Sequence, residues 1–150
     1  MRVAELCSRD VRVVYRGEAL VDAAREMLAC HVGALIVLDA AGAPRGPVGI
    51  LTDRDIVRGQ LRHRSDLYCL TVGDVMTADP LALAADMEIS ASIEALSAKG
   101  VRRAPVLDRA GALVGIVSLD DLVPALAEEL RSLAGLMSAH GRQQQRSAAR

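Results

Sequence analysis

Apolar positions along this chain change period in a fixed order, and the chain then runs through that order again. Residues 11–15 are a short apolar segment suited to a strand, after which Leu20, Ala23, Ala24, Met27 and Leu28 fall at helical spacing. Two apolar runs follow, 34–38 and 48–51, separated by a Gly-containing turn, which predicts paired buried strands. A second helix is expected to start at Thr52, because a hydroxyl side chain favours the N-cap. The second pass has a segment at 81–83, a helix carried by Ile89, Ser92, Ile93, Leu96 and Ser97, runs at 104–107 and 113–117, and a helix starting at Ser118. That last helix is expected over 119–136, with Pro124 near its first turns and Leu122, Leu126, Leu130, Leu133 and Met137 along one edge, fit to pack on the other repeat or on another subunit.

The two passes are a tandem duplication. Residues 7–39 align without a gap on 76–108 at a constant shift of 69, and Val37-Leu38-Asp39 stands over Val106-Leu107-Asp108. After Gly42 and Gly111 the first copy carries about three extra residues within Ala43-Pro44-Arg45-Gly46, a turn that tolerates insertion. The register then returns as GILTDRDIV against GIVSLDDLV. Each copy therefore reads strand, helix, strand, strand, helix, with units at 1–66 and 67–127 and a C-terminal helix extension and basic tail at 128–150.

With 150 residues, 51% of them hydrophobic, the chain has enough apolar surface for one core or two small lobes sharing an interface. No apolar stretch approaches a membrane span and the N-terminus lacks an apolar signal region, so the expected address is the cytoplasm. Cys7, Cys30 and Cys69 are an odd, scattered set that reads as reduced structural thiols. A net charge of -1, no Phe or Trp and only two Tyr argue against a nucleic-acid surface, and any bound base has to sit among aliphatic side chains. The tail from Ser138 carries Arg142, Arg146 and Arg150 and reads as a solvated terminus, although it has the charge to touch an anionic partner.

Catalytic patterns are missing. His31, His63 and His140 are far apart, no H-E-x-x-H, G-x-S-x-G, GxGxxG or Walker sequence occurs, and His31 is expected to cap or pack at a helix end. A metal site from Cys7, Cys30, His31 and Cys69 would need folding to gather ligands that have no CxxC spacing. The chain is thus expected not to be an enzyme and to need no catalytic cofactor or metal.

The two strand–helix junctions carry the candidate chemistry. Thr52-Asp53-Arg54-Asp55 and Ser118-Leu119-Asp120-Asp121 each place an Asp three residues after a hydroxyl, which by itself makes a capping box. Such a junction also offers backbone amides and the positive end of a helix dipole to a phosphate, and the Asp can accept bonds from ribose hydroxyls.

With GILTDRDIV, DVMTADP, VRRAPVLD and GIVSLDDLV, the chain resembles a tandem pair of CBS (cystathionine β-synthase) domains, a Bateman module, over residues 1 to about 127. The resemblance implies an α+β fold of two βαββα repeats packed through their sheets with pseudo-twofold symmetry. It implies adenosyl ligands (AMP, ADP, ATP or S-adenosylmethionine) in the clefts between repeats, and pairing of two modules into a flat homodimer. Thr52 and Ser118 match the family position that contacts phosphate, and Asp55 and Asp121 the position that holds ribose. Arg102 and Arg103 stand where related modules place cations that reach phosphate across the cleft. The first repeat departs here, with Gly33 and Ala34 in place of the arginines and Ile36 in place of Pro105, so unequal clefts are expected. At roughly 0.3 kcal/mol per heavy atom, a nucleoside monophosphate is expected to bind with a Kd on the order of 10 μM. The expected function is a stand-alone regulatory module signalling through dimer or partner contacts to an unknown effector protein. The rival reading is a ligand-free dimerisation module whose T-x-x-D junctions are caps alone.

Overall fold

The computed structural model describes residues 1–40 and 46–148, with side chains described through residue 137. A short helix, α1 (Val3–Leu6), precedes the first repeat, which is built from β1 (Val13–Tyr15), α2 (Leu20–Cys30), β2 (Ala34–Leu38), β3 (Gly49–Thr52) and α3 (Asp53–His63). A 3-10 turn (Leu67–Cys69), α4 (Val72–Val75) and β4 (Thr77–Ala78) lead into the second repeat. Its elements are β5 (Leu83–Ala84), α5 (Ile89–Lys99), β6 (Arg103–Leu107), β7 (Leu113–Ser118) and α6 (Leu119–Ala148). The α+β class and the two βαββα units are as the sequence implies. In each repeat the first two strands are parallel, joined by a crossover helix, and the next two antiparallel.

Core positions repeat as closely as the chain does. Leu20, Ala23 and Met27 of α2 pack on Leu35, Val37, Leu51 and Ile56. In the second repeat Ile89 and Leu96 pack on Ala104, Val106, Val117 and Leu122, and Ser92 is buried between them on α5. Each large aliphatic side chain so buried contributes about 1.5–3 kcal/mol. Ser92 is the one buried polar residue among the described residues and is satisfied locally, its Oγ donating to the Ile89 carbonyl at 2.7 Å. The helices end alike in left-handed residues, His31 (φ 54°) and Gly100 (φ 64°), so His31 caps α2 as expected.

The repeats also exchange their leading segments. Val3 is fully buried in the second repeat's core, and its counterpart Val72 is fully buried in the first repeat's core. Ser8 bridges Ile116 on β7, as Thr77 pairs with Ile50 on β3; Arg2 bridges Glu88, as Thr71 bridges Ala19. Two sheets result, ordered β1-β2-β3-β4 and β5-β6-β7. Ile36 and Pro105, equivalent in sequence, are buried on the strand face turned away from these two cores. That face lies at the seam between repeats.

Several expectations need adjustment. The strand expected at 11–15 begins only at Val13, and the one expected at 81–83 is Leu83–Ala84, because pairing with β2 and β6 starts there. Leu28 is 77% exposed although it continues the helical spacing, since it lies beyond the buried stripe of α2, just as its equivalent Ser97 lies on the surface of α5. Leu122 is buried and Leu126 partly so, but Leu130, Leu133 and Met137 on the same edge are exposed in the single chain. The α6 backbone runs past residue 136 to Ala148. Most of the inserted turn, residues 43–45, and the side chains of the basic tail, Arg142, Arg146 and Arg150, lie outside what is described.

Candidate functional site

At both strand–helix junctions the hydroxyl residue is bonded to the Asp three residues on, and at the first the bonds are reciprocal, a capping box. At the first, the Thr52 backbone N–H and hydroxyl both donate to Asp55 Oδ2, at 2.9 and 2.7 Å, and the Asp55 amide donates back to Thr52 Oγ1 at 3.2 Å. At the second, the Ser118 N–H and hydroxyl donate to Asp121 Oδ2 at 2.8 and 2.7 Å. Each carboxylate thus makes these bonds through Oδ2 alone.

The box alone does not make a site. Thr71 and Asp74 at the start of α4 form the same arrangement, with the Thr71 N–H and hydroxyl both 2.8 Å from Asp74 Oδ2, yet they line neither of the clefts described below. What separates Thr52 and Ser118 from Thr71 is their surroundings.

Thr52 and Asp55 line a cleft of about 360 Å³ that Arg54 and Arg58 of α3 share with Gly100, Val101, Arg102 and Arg103 of the second repeat. Four arginines face two aspartates there, Asp53 and Asp55, an excess of positive charge. Ser118 and Asp121 line another cleft, of about 240 Å³, whose opposite wall is Val32, Gly33, Ala34 and Ile36 of the first repeat. Its charged lining is Asp10, Asp120 and Asp121 against Arg12 and Arg103, an excess of negative charge. The six residues singled out in the sequence are therefore divided: Thr52, Asp55, Arg102 and Arg103 share one cleft, Ser118 and Asp121 the other, and Arg103 borders both.

Arg103 meets the first repeat at the position where the two copies depart from each other. A Cβ placed on Gly33 would lie 3.8 Å from Arg103 Nη1 and 3.6 Å from Asp53 Oδ2. The guanidinium of Arg103 thus crosses the seam and reaches the first repeat at Gly33. Arg102 in turn is 3.6 Å from Asp120, an exposed pair worth at most about 1 kcal/mol and so open to capture by a stronger anion.

The helix start offers less than the sequence suggests. In α3 the Asp53 amide donates to the Gly33 carbonyl (3.3 Å), the Arg54 amide to Asp53 Oδ1 (2.7 Å) and the Asp55 amide to Thr52. The first-turn amides are already engaged. A phosphate in this cleft has to be held chiefly by arginine side chains, with Thr52 Oγ1 turning its proton away from Asp55.

Sequence reasoning passed over Arg54 and Arg58, although their i, i+4 spacing from a helix start was a visible signal for a cationic edge. It also passed over Asp10, Arg12 and Asp120, which reach a cleft only through the pairing of repeats. Among the described residues no group of His, Cys, Asp or Glu is placed to hold a metal ion, and no helix is long and apolar enough to cross a membrane. Cys7 and Cys30 are half-buried and Cys69 is exposed, all as thiols.

The family model of the CBS domain matches residues 3–62 and 72–128. An uncharacterized 17.7 kDa protein of Acidianus ambivalens is 32% identical over 127 residues, which cover 85% of this chain and 74% of that one. A conserved CBS domain protein of unknown function from Thermoplasma acidophilum has a similar structure, with a TM-score of 0.76 and 27% identity over 83% of this chain and 68% of the other. The fold is shared, at a TM-score of 0.74 and 20% identity, by a CBS domain pair solved in complex with 5′-methylthioadenosine and S-adenosyl-L-methionine, over 86% of this chain and 98% of that one.

Proposed function

Because the chain belongs to the CBS domain family, we propose that it is a non-catalytic regulatory module that binds an adenosyl nucleotide between its two repeats and signals through contacts with a second copy or a partner. One observation carries the reading: a Thr52–Asp55 junction from one repeat faces Arg102 and Arg103 from the other across a single cleft. Asp55 Oδ1 is available to the ribose hydroxyls, the arginines to phosphate, and Ile50 and Val101 to the base. A ligand held from both sides of the seam favours one relative placement of the repeats, which is how binding becomes a signal. The solved pair that holds methylthioadenosine and S-adenosylmethionine lends the fold's capacity for adenosyl groups to this reading.

A homodimer is the proposed output. Val57 on α3 and Val123 on α6 hold equivalent positions in the two repeats and are 58% and 63% exposed, with Leu61 at 76% beside Val57 on α3. A second copy that covers these helices would feel any change at the seam.

Thermal shift tests the binding, since a ligand at a hundredfold above Kd stabilises the folded chain by about 2.7 kcal/mol. AMP, ADP, ATP and S-adenosylmethionine are the ligands to screen. A rise in melting temperature with at least one of them is expected; no rise with any, at millimolar concentration, leaves the chain a ligand-free dimerisation module.

A further inference from the structure

We infer that the two clefts sort adenine ligands by charge: the Thr52 cleft takes the phosphorylated form, and the Ser118 cleft takes an adenine nucleoside without phosphate, neutral or positively charged at its 5′ position. This rests on the adenosyl reading above and assigns the second cleft its ligand class.

Three observations point the same way. Asp10, Asp120 and Asp121 outnumber Arg12 and Arg103 around the Ser118 cleft. Arg12 is moreover 3.5 Å from Asp10 and 3.9 Å from Glu26, so its charge is shared between carboxylates before any ligand arrives. A phosphate entering there would meet carboxylates in a partly desolvated space, where like charges repel more strongly than in water.

Arg103 is the second observation. It is the only cation common to both clefts among the described residues, and its guanidinium reaches across to Gly33. One guanidinium cannot clamp phosphate in both clefts at once. The Thr52 cleft adds Arg54, Arg58 and Arg102 of its own, whereas the Ser118 cleft has Gly33 and Ala34 at the positions equivalent to Arg102 and Arg103.

Size is the third. The Ser118 cleft holds about 240 Å³ against about 360 Å³ for its counterpart, consistent with a ligand shorter by its phosphate. What it retains is suited to a nucleoside: Val32, Ala34, Ile36 and Ile116 as an aliphatic wall, and Asp121 with one carboxylate oxygen outside the cap.

Calorimetry on the intact chain tests this with AMP and adenosine, separately and then adenosine into AMP-saturated protein. AMP is expected to fill one site per chain, weakened at least tenfold by Asp55→Asn and by Arg58→Ala, which leaves the cap intact, and unchanged by Asp121→Asn. Adenosine is expected to bind the AMP-saturated chain at one further site that Asp121→Asn weakens at least tenfold. Gly33→Arg and Asp120→Asn, neither of which removes a cap, should each give the Ser118 cleft measurable affinity for AMP. Two equal AMP sites in the unmodified chain, loss of AMP binding in Asp121→Asn, or no adenosine binding beside AMP would overturn the sorting while leaving the adenosyl reading standing. Binding of neither compound would instead remove the adenosyl reading itself.

Discussion

Arg103 Nη1 stands 3.8 Å from where a Cβ on Gly33 would be, so the second repeat's arginine reaches the first repeat at a position that carries no side chain. Gly33 is the position equivalent to Arg102, and the duplication has diverged so that one repeat has two cations where the other has Gly33 and Ala34. If Arg103 holds phosphate in the Thr52 cleft, Arg103→Ala removes charge-assisted bonds worth about 1.5–3 kcal/mol and should weaken AMP roughly 10- to 150-fold. Arg103→Lys should recover only part of that, lacking the planar fork. Calorimetric Kd values check both, and an unchanged Kd in Arg103→Ala takes this residue out of the site.

The Thr52 and Thr71 boxes separate capping from binding. Thr52→Ala and Thr71→Ala each delete a cap of the same geometry, and each should cost about 1 kcal/mol of stability in urea unfolding. Only Thr52→Ala should also weaken the nucleotide, and by less than Arg103→Ala, because the Thr52 hydroxyl proton is already given to Asp55. Equal nucleotide affinity in both variants would mean that the Thr52 box is a cap and nothing more.

Much of this architecture is legible in the chain because the duplication states each periodicity twice. Positions 20, 23 and 27 and their counterparts 89, 92 and 96 are buried in both repeats, so local spacing and tertiary packing agree. What the spacing does not disclose is long-range. The α1 and α4 segments are four residues each, too short for a periodic signal, and are fixed only because Val3 and Val72 enter the opposite repeat's core. The division of Thr52, Asp55 and the arginines from Ser118 and Asp121 likewise depends on which strand start faces which helix start. Composition is blind to that, and the engaged amides of α3 are equally invisible without the Gly33 carbonyl in place.

At Gly115 the first exchanged segment lies close against β7. A Cβ there would lie 2.6 Å from Cys7 Sγ and 2.9 Å from the Ser8 carbonyl oxygen, the latter a backbone atom fixed by its bridge to Ile116. Gly115→Ala must therefore push the leading segment off β7, and should destabilise by about 1–3 kcal/mol. Gly17→Ala, with nothing within 4 Å of the new methyl, is the control and should be near neutral. The same displacement should expose Cys7, speeding its reaction with thiol reagents relative to the unmodified chain.

Among the thiols of the unmodified chain, exposed Cys69 should react first. Burial holds the Cys7 thiol above its ordinary pKa, and the hydrogen bond from Cys30 to Glu26, 3.2 Å long, holds the Cys30 thiol up as well, so both present less thiolate near neutral pH. Mass spectrometry after brief alkylation should find Cys69 modified before the other two; early modification of Cys7 would mean that its segment leaves β7 in solution.

Acid should act through Asp74. Bonds from the Thr71 amide and hydroxyl, with His63 nearby, hold its carboxyl below the ordinary value of 3.8. A group depressed by folding contributes stability that is fully present above its unfolded pKa and is lost as pH falls through the lower folded one. The contribution is therefore expected intact at pH 5 and fading below about pH 4, the ordinary carboxylate range. Asp74→Asn keeps an acceptor for the Thr71 amide but cannot titrate, so the slope of stability against pH should be shallower below pH 4 than in the unmodified chain. Urea unfolding at pH 3, 4, 5 and 7 measures that slope. Identical slopes in the two proteins would mean that the box at Thr71 does not prefer its charged form.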